Sequence, residues 1–258
     1  MIISWNESEV LRRCLDSFYK HFDFDRDEIV LADNGSTDET VQMLVSEFPA
    51  VRVLELGKNL GVGRARNRGI AYSRGDYIMT LDNDTIVDCG SALGPTIERI
   101  FRENKNIGVF GFTLLNTDGS FQQSCRRFPG WLQPIAARIP ALQSIRLFQK
   151  VQTRHMMEDV NFSDVKYPFS VDYVLGANQI FRRKTFALLF GYDEKVFFGP
   201  EDFDFCFRAK KLGLENYLFN CLSITHDYQR RTRRFSLILL KHLWAYYYVM
   251  RKLRISHC

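Results

Sequence analysis

The sequence predicts an α/β protein built on a mostly parallel sheet. Three observations carry that prediction. Short apolar runs such as EIVLADN, VRVLEL and DYIMTL alternate with amphipathic helical patterns, as βαβ units require. The first three polar clusters, Asp33-Asn34-Gly35-Ser36, Gly57-Lys58-Asn59-Leu60-Gly61 and Asp82-Asn83-Asp84, each stand where a run stops, and ligands of such sheets bind beyond the carboxyl ends of the strands. With 258 residues, 46% of them hydrophobic and 25% charged, the chain is long enough to bury the core that such a sheet needs.

The elements follow in order. MIIS is a short first strand, and SEVLRRCLDSFYKHF is a helix with Val10, Leu11, Leu15, Phe18 and Tyr19 on one side. STDETVQMLVSEF predicts a helix opened by a capping box, Ser36 followed three residues later by Glu39. GVGRARNRGIAYSR is a glycine-initiated helix, and GPTIERIFREN another. GVFGFTLLNTDGSFQQSC reads as strands joined through a DG turn. Residues 126–168 hold four of the seven prolines and little periodicity, which suits a functional or mobile loop. VDYVLGANQIFRR is a strand into a basic turn, and EDFDFCFRAKKLG a helix with Phe203, Phe207 and Leu212 inside.

Composition excludes several classes. Six scattered cysteines with no CxxC pair argue for reduced thiols rather than a disulfide scaffold or zinc site. No run reaches the ~18 apolar residues of a spanning helix. The net charge of +5 is uneven: residues 1–227 carry about −3, and eight cations without one acid follow Asp227.

Asp82 and Asp84 pose the chemical question. Two like charges at a sheet edge repel unless a cation stands between them or water solvates both in a turn. A divalent cation would use those carboxylate oxygens well.

Taken in order, SWNESEVLRRCLDSF, ADNGSTDET, KNLGVGRARNRGI, DYIMTLDND, VDYVLGANQIFRRKTF, GYDEKVFFGPEDFDFCFRAKKLG and ITHDY resemble the family 2 inverting glycosyltransferases, in particular their bacterial rhamnosyltransferase-like branch. The resemblance implies a GT-A fold: a Rossmann-like, mostly parallel sheet flanked by helices. It assigns residues 1–227 to the catalytic domain, 1–115 binding the nucleotide-sugar and 116–227 the acceptor. It implies Mn2+ or Mg2+ on Asp84 and His226, with Asp82 reaching the ribose or the metal through water. Asp33 would pair with the uracil or thymine ring N–H, an Asx turn being compatible with that role. Ser4, Asn6, Glu7, Asn34, Gly61, Arg66, Asn67 and Asn83 would line the nucleotide pocket, and Gly176 and Ala177 would admit the sugar. Asp202 resembles the base that takes the acceptor proton, and Glu201 would orient the acceptor; a helix start would keep both ionised. Asp204 reads as a cap or a partner of Arg208. Arg182 and Arg183 are diphosphate candidates or solvated charges, and Arg126 and Arg127 are acceptor-diphosphate candidates. A dinucleotide fingerprint is rejected, because GVGRAR lacks the third glycine of G-x-G-x-x-G.

Residues 228–258 read as a basic amphipathic helix. Lys241, Ala245, Tyr248 and Lys252 share one face; Leu239, Leu240, Leu243, Trp244, Tyr247 and Met250 form an apolar arc. Residues 230–254 would lie on anionic lipid or pack on the domain, and their aliphatic density argues against nucleic acid. The expected protein is a cytoplasmic enzyme, peripheral on the inner membrane face, that moves rhamnose or another hexose from a UDP- or dTDP-sugar to a saccharide or lipid-linked oligosaccharide. A homodimer is left open. The rival readings are a silent nucleotide-sugar-binding assembly partner and a nucleotidyltransferase, which intact Asp84 and Asp202 and the missing Gly-rich basic loop after strand one count against.

Overall fold

A computed structural model describes residues 1–88, 90–136, 144–227 and 237–253. The first half runs β1 (Ile2–Ser4), α1 (Ser8–Asp16), β2 (Val30–Asp33), α2 (Thr40–Glu47), β3 (Arg52–Glu55), α3 (Val62–Tyr72), β4 (Tyr77–Asp82), β5 (Thr85–Ile86) and α4 (Gly90–Glu103). Next come β6 (Ile107–Leu115), β7 (Phe121–Gln122), β8 (Cys125–Arg126), α5 (Gln133–Ala136) and α6 (Arg146–Met156). The chain continues through β9 (Phe169–Val171), β10 (Tyr173–Val174), β11 (Asn178–Arg182), α7 (Arg183–Leu188), α8 (Glu201–Lys211), β12 (Glu215–His226) and α9 (Leu237–Lys252).

One sheet runs in the order β3-β2-β1-β4-β11-β6-β12-β5. Its first four strands are parallel, as helical crossovers demand. β11 then enters antiparallel between β4 and β6, and β12 lies parallel to β6. Register decides what reaches the rim: Ser4 pairs with Asp33, Asp33 with Glu55, and Ile3 with Asp82. Because β11 runs the other way, its first residue, Asn178, lies beside Leu81, and so Gly176-Ala177 arrives at the same edge.

Apolar clusters cover the sheet. Leu11, Cys14 and Leu15 of α1, one turn apart, pack with Leu31, Phe48 and Phe101. Tyr192, Phe203, Phe205 and Val249 belong to a second cluster.

Three local expectations are corrected. α2 begins at Thr40, because Asp38 accepts from the Thr40 N–H and hydroxyl while Ser36 Oγ accepts from the Asn6 N–H; the capping box does not form. In α8, Phe205, Cys206 and Phe203 are buried, whereas Leu212 is exposed. In α9 the packed face is Ala245, Val249, Met250 and Leu253. Lys252 donates to Asp193 and Asp204 at 2.7 and 2.9 Å, and the Tyr248 hydroxyl also donates to Asp193. Trp244, from the expected apolar arc, is 56% exposed. Arg230, Arg231, Arg233, Arg234 and Arg254 lie outside the described residues.

Candidate active site

Asp82 ends β4, Asp84 stands in the turn before β5, and His226 ends β12. Pairing of His226 with Thr85 folds the late histidine over the acids. One ligand atom from each of Asp82, Asp84 and His226 lies within 4.8 Å of the others. The ring orientation is fixed from behind. Gln122 Nε2 donates to the His226 carbonyl and to Asn116 Oδ1, which turns Gln122 Oε1 to His226 Nδ1 at 2.7 Å. Nδ1 therefore carries the proton, and Nε2 faces Asp84 Oδ1 at 3.3 Å. That oxygen is buried and accepts no hydrogen bond of good geometry. A lone pair facing a carboxylate needs a proton or a metal cation between them, and two carboxylates with an imidazole suit a divalent ion. Burial lowers the His226 pKa, but the negative charges of Asp84, Asp82 and Asp227 outweigh it and the net shift is upward.

The loops after β1 and β2 meet beside this triad. Asn83 Nδ2 donates to Glu7 at 3.0 Å and to Ser4 Oγ at 3.4 Å. Asn6 adopts a left-handed conformation (φ 54) and its Oδ1 accepts from the Thr37 N–H at 2.7 Å. Asp33 accepts from the Gly35 and Ser36 N–H groups in the Asx turn. Asn34 is spent elsewhere: its Oδ1 takes the Leu60 N–H and its Nδ2 donates to Asn59. Gly61 (φ +84) is required, because a Cβ there would stand 2.3 Å from the Phe197 carbonyl.

Glu201 and Asp202 open α8. Asp202 accepts from the Gly176 N–H at 3.3 Å and from the Phe203 N–H at 2.7 Å. Arg66, buried, donates to Asp82 at 2.8 Å, to the Gly176 carbonyl at 2.8 Å and to Glu201 at 3.3 Å. It thus joins the β4 acid to the α8 acid. Burial and the neighbouring Asp202 charge push Glu201 up to about 8 against the pull of Arg66, and burial raises Asp202 as well. The helix start was expected to favour ionisation; desolvation outweighs it. A recess of about 770 Å³ among Phe18, Phe22, Phe24, Tyr77 and Met79 holds none of these acids.

The family model for glycosyl transferase family 2 matches residues 1–162. The chain belongs to that family. It is 29% identical over 219 residues to an N-acetylglucosaminyl-diphospho-decaprenol L-rhamnosyltransferase of Mycobacterium tuberculosis, covering 80% of this chain and 68% of the relative. Its fold matches that of a mannosyltransferase from Pyrobaculum calidifontis solved with GDP-Man and Mn2+ (TM-score 0.64, 17% identity), over 100% of this chain and 64% of that one. It also matches GalNAc-T7 solved with UDP, GalNAc and Mn2+ (TM-score 0.69, 18% identity), over 97% of this chain and 46% of that one. The fold is GT-A, and the family's activity is glycosyl transfer.

Several residues fall away from the expected places. Asn67 donates to the Tyr192 carbonyl and accepts from its N–H, tying α3 to the segment that leads into α8. Gly176 leaves room for Arg66: a Cβ would stand 2.6 Å from Arg66 Nη1. Ala177 is buried beside it. Arg182 caps α4, donating to the carbonyls of Phe101, Asn104 and Ile107. Arg183 caps α3 through Ile70, Ser73 and Gly75. Arg182 is buried and Arg183 half-buried, both at the Tyr77 end of β4 rather than at Asp82. Arg127 pairs with Asp159, and Arg126 donates to the carbonyls of Gln123 and Cys125. Sequence reasoning missed Gln122, which orients His226. A glutamine in a two-residue strand carries no motif, and only the sheet pairing of β7 with β6 reveals it. Tyr192 was also missed: its ring lies 5.7 Å from the Arg66 guanidinium, and its hydroxyl donates to Gln179 Oε1.

Proposed function

We propose that this chain is an inverting, metal-dependent glycosyltransferase that uses a UDP- or dTDP-sugar and a lipid-linked saccharide acceptor. The carrying observation is the triad of Asp82, Asp84 and His226, whose ligand atoms converge within 4.8 Å, with His226 Nε2 turned onto a buried Asp84 oxygen at 3.3 Å. A divalent cation such as Mn2+ or Mg2+ held there would supply positive charge to a departing diphosphate. Ser4, Asn6, Glu7, Asp33 and Asn83 lie on the same rim, where the base and ribose would rest.

On the α8 side, Asp202 takes the proton of the acceptor hydroxyl as that oxygen attacks the anomeric carbon. The bond from that carbon to the diphosphate oxygen breaks on the opposite face, and the configuration inverts. Glu201 would orient the acceptor. Rhamnose is the donor sugar favoured by the mycobacterial relative, whose name also specifies a diphospho-decaprenol acceptor. With such an acceptor the protein would work at the cytoplasmic face of a membrane, and α9 would be the contact. Among the described residues no helix is long and apolar enough to cross one.

The test is thermal stabilisation by UDP, dTDP, GDP and ADP with and without Mn2+, on wild type and Asp84→Ala. A ligand that binds only the native state raises Tm, by about 5 °C at a hundredfold excess over Kd. UDP or dTDP should act on wild type only with Mn2+, and on Asp84→Ala not at all. A nucleotide shift of equal size without metal, or one retained in Asp84→Ala, rejects the triad as a metal site.

A further inference from the structure

Arg66 is the largest fully buried side chain in the described residues. Its surroundings are not those of a packing residue. Nη2 donates to Asp82 Oδ1 and to the Gly176 carbonyl, both at 2.8 Å, and Nη1 reaches Glu201 Oε1 at 3.3 Å. Gly176 in turn donates its N–H to Asp202. One guanidinium therefore touches the acid at the end of β4, the acid at the start of α8, and the peptide that holds the second α8 acid. Asp82 is still 34% exposed on its side chain, whereas Glu201 is 8% exposed and its Oε2 is buried without a hydrogen-bond partner. The planar fork spans one carboxylate from β4 and one from α8, a task an ammonium cannot copy.

From this geometry we infer that Arg66 is the positioning residue that links the two halves of the site, holding Glu201 and the Gly176–Asp202 contact in place while competing with the divalent cation for Asp82. The inference rests on the metal reading of the triad and adds a coupling to it. A fixed positive charge on Asp82 weakens cation binding at the neighbouring triad, so the site forgoes metal affinity to keep the acids of α8 aligned. When a cation draws on Asp82, the guanidinium keeps its bonds to Glu201 and Gly176, so the α8 acids stay in register with the loaded donor.

The two halves of this inference predict effects of opposite sign, which a merely structural arginine would not produce. Arg66→Met removes the competing charge and breaks the link. Mn2+ binding without nucleotide, followed by electron paramagnetic resonance, should tighten by about tenfold. In the same variant kcat should fall by at least about a hundredfold, KM for the donor moving far less, because an acid misplaced by an ångström costs rate rather than binding. Arg66→Lys restores the charge without the fork. It should return Mn2+ affinity towards wild type while kcat stays low, and it guards against a misfolded Met variant. Both variants are checked for a cooperative melt, and Arg66→Met with Glu201→Gln relieves the buried acid if the single change does not fold. Mn2+ affinity that falls in Arg66→Met, or a kcat that Arg66→Lys restores in full, overturns the inference. Wild type that binds no Mn2+ overturns the metal reading of the triad and the inference with it, an outcome seen before any variant is compared.

Discussion

The antiparallel pair β4–β11 has one buried arginine at each end, and the two use the same chemistry for different ends. At the Tyr77 end Arg182 lies over the Phe101 ring at 4.3 Å and donates only to backbone carbonyls, which close the last turn of α4. At the Asp82 end Arg66 meets two carboxylates and one carbonyl, and its Nε is buried without a partner. A helix C-terminus wants a cation for its own carbonyls, so the Arg182 site is complete in itself. The Arg66 site is incomplete: acids outnumber the guanidinium, and Asp84 Oδ1 and Glu201 Oε2 lack hydrogen bonds. Buried polar groups left unsatisfied cost stability. Part of that cost falls at the carboxyl edge, on Arg66 Nε, Asp84 Oδ1 and Glu201 Oε2, where ligands of open α/β sheets bind.

The strongest way to break the comparison is Asp202→Asn. If the Asp82 end carries the chemistry, kcat should fall by about a thousandfold or more, because the acceptor proton has no base. The melting temperature should hold or rise, since Glu201 loses a like charge beside it. The pH profile sharpens the same point. A base must be ionised, so a raised Asp202 pKa displaces the acid limb of wild-type kcat/KM above the ordinary Asp value of about 3.9. Stability moves the other way with pH. Burial and the Asp202 charge push Glu201 up to about 8 from an ordinary 4.5, so its contribution is complete below about 4.5 and is lost as pH rises through about 8. A limb near 4, or metal-free stability that climbs from pH 5 to 8 as strongly in Glu201→Gln as in wild type, would contradict the buried-acid description.

Arg182→Met strikes the other end and should have the complementary signature. It removes a guanidinium hydrogen-bonded to buried carbonyls, for a loss of about 2 to 4 kcal/mol in unfolding free energy. Urea denaturation gives the number. The response of the surviving folded protein to UDP and Mn2+ should stay within twofold of wild type, because no donor of Arg182 touches the Asp82 rim. A nucleotide Kd weakened in proportion to the lost stability would mean that the two ends are not separable.

The carboxyl edge was legible for a physical reason. Parallel strands deliver their last residues to one rim, so Asp33 and Asp82 could be placed from the alternation of runs alone; Ser4 came from the family resemblance, and the register sets it beside Asp33. The arginines were not legible, because a guanidinium's role depends on which acceptors surround it, and those come from distant segments. Arg66 lies near its partners Asp82, Gly176 and Glu201 only once β11 has inserted beside β4. Arg182 finds its carbonyls because β11 ends beside Tyr77, against the last turn of α4. Asn34 and Asn67 are hard to read for the same reason: amides fit a nucleotide pocket and a loop clamp equally well, and here they bond to Leu60 and Tyr192. The same holds for α9: Lys252 and Tyr248 share a face in the sequence, but the acids they serve, Asp204 and Asp193, come from distant segments.

That helix supplies the smallest expected effect and the finest test. Its docked face holds Val249, Met250 and the Lys252–Asp204 pair; its open face carries Trp244, stacked on Tyr248 at 5.2 Å and 56% exposed. Removing an exposed ring leaves the core intact, so Trp244→Ser should change unfolding free energy by no more than about 0.5 kcal/mol. It should leave the UDP and Mn2+ response unchanged. An interfacial tryptophan nevertheless anchors a helix at the headgroup level, and partitioning follows the buried apolar area. If the open face of α9 meets lipid, Trp244→Ser should therefore release protein from anionic vesicles in a sedimentation assay, several-fold at constant salt. Equal sedimentation of wild type and variant would assign α9 to packing alone, and the polarity of the helix would then record only the acids buried beneath it.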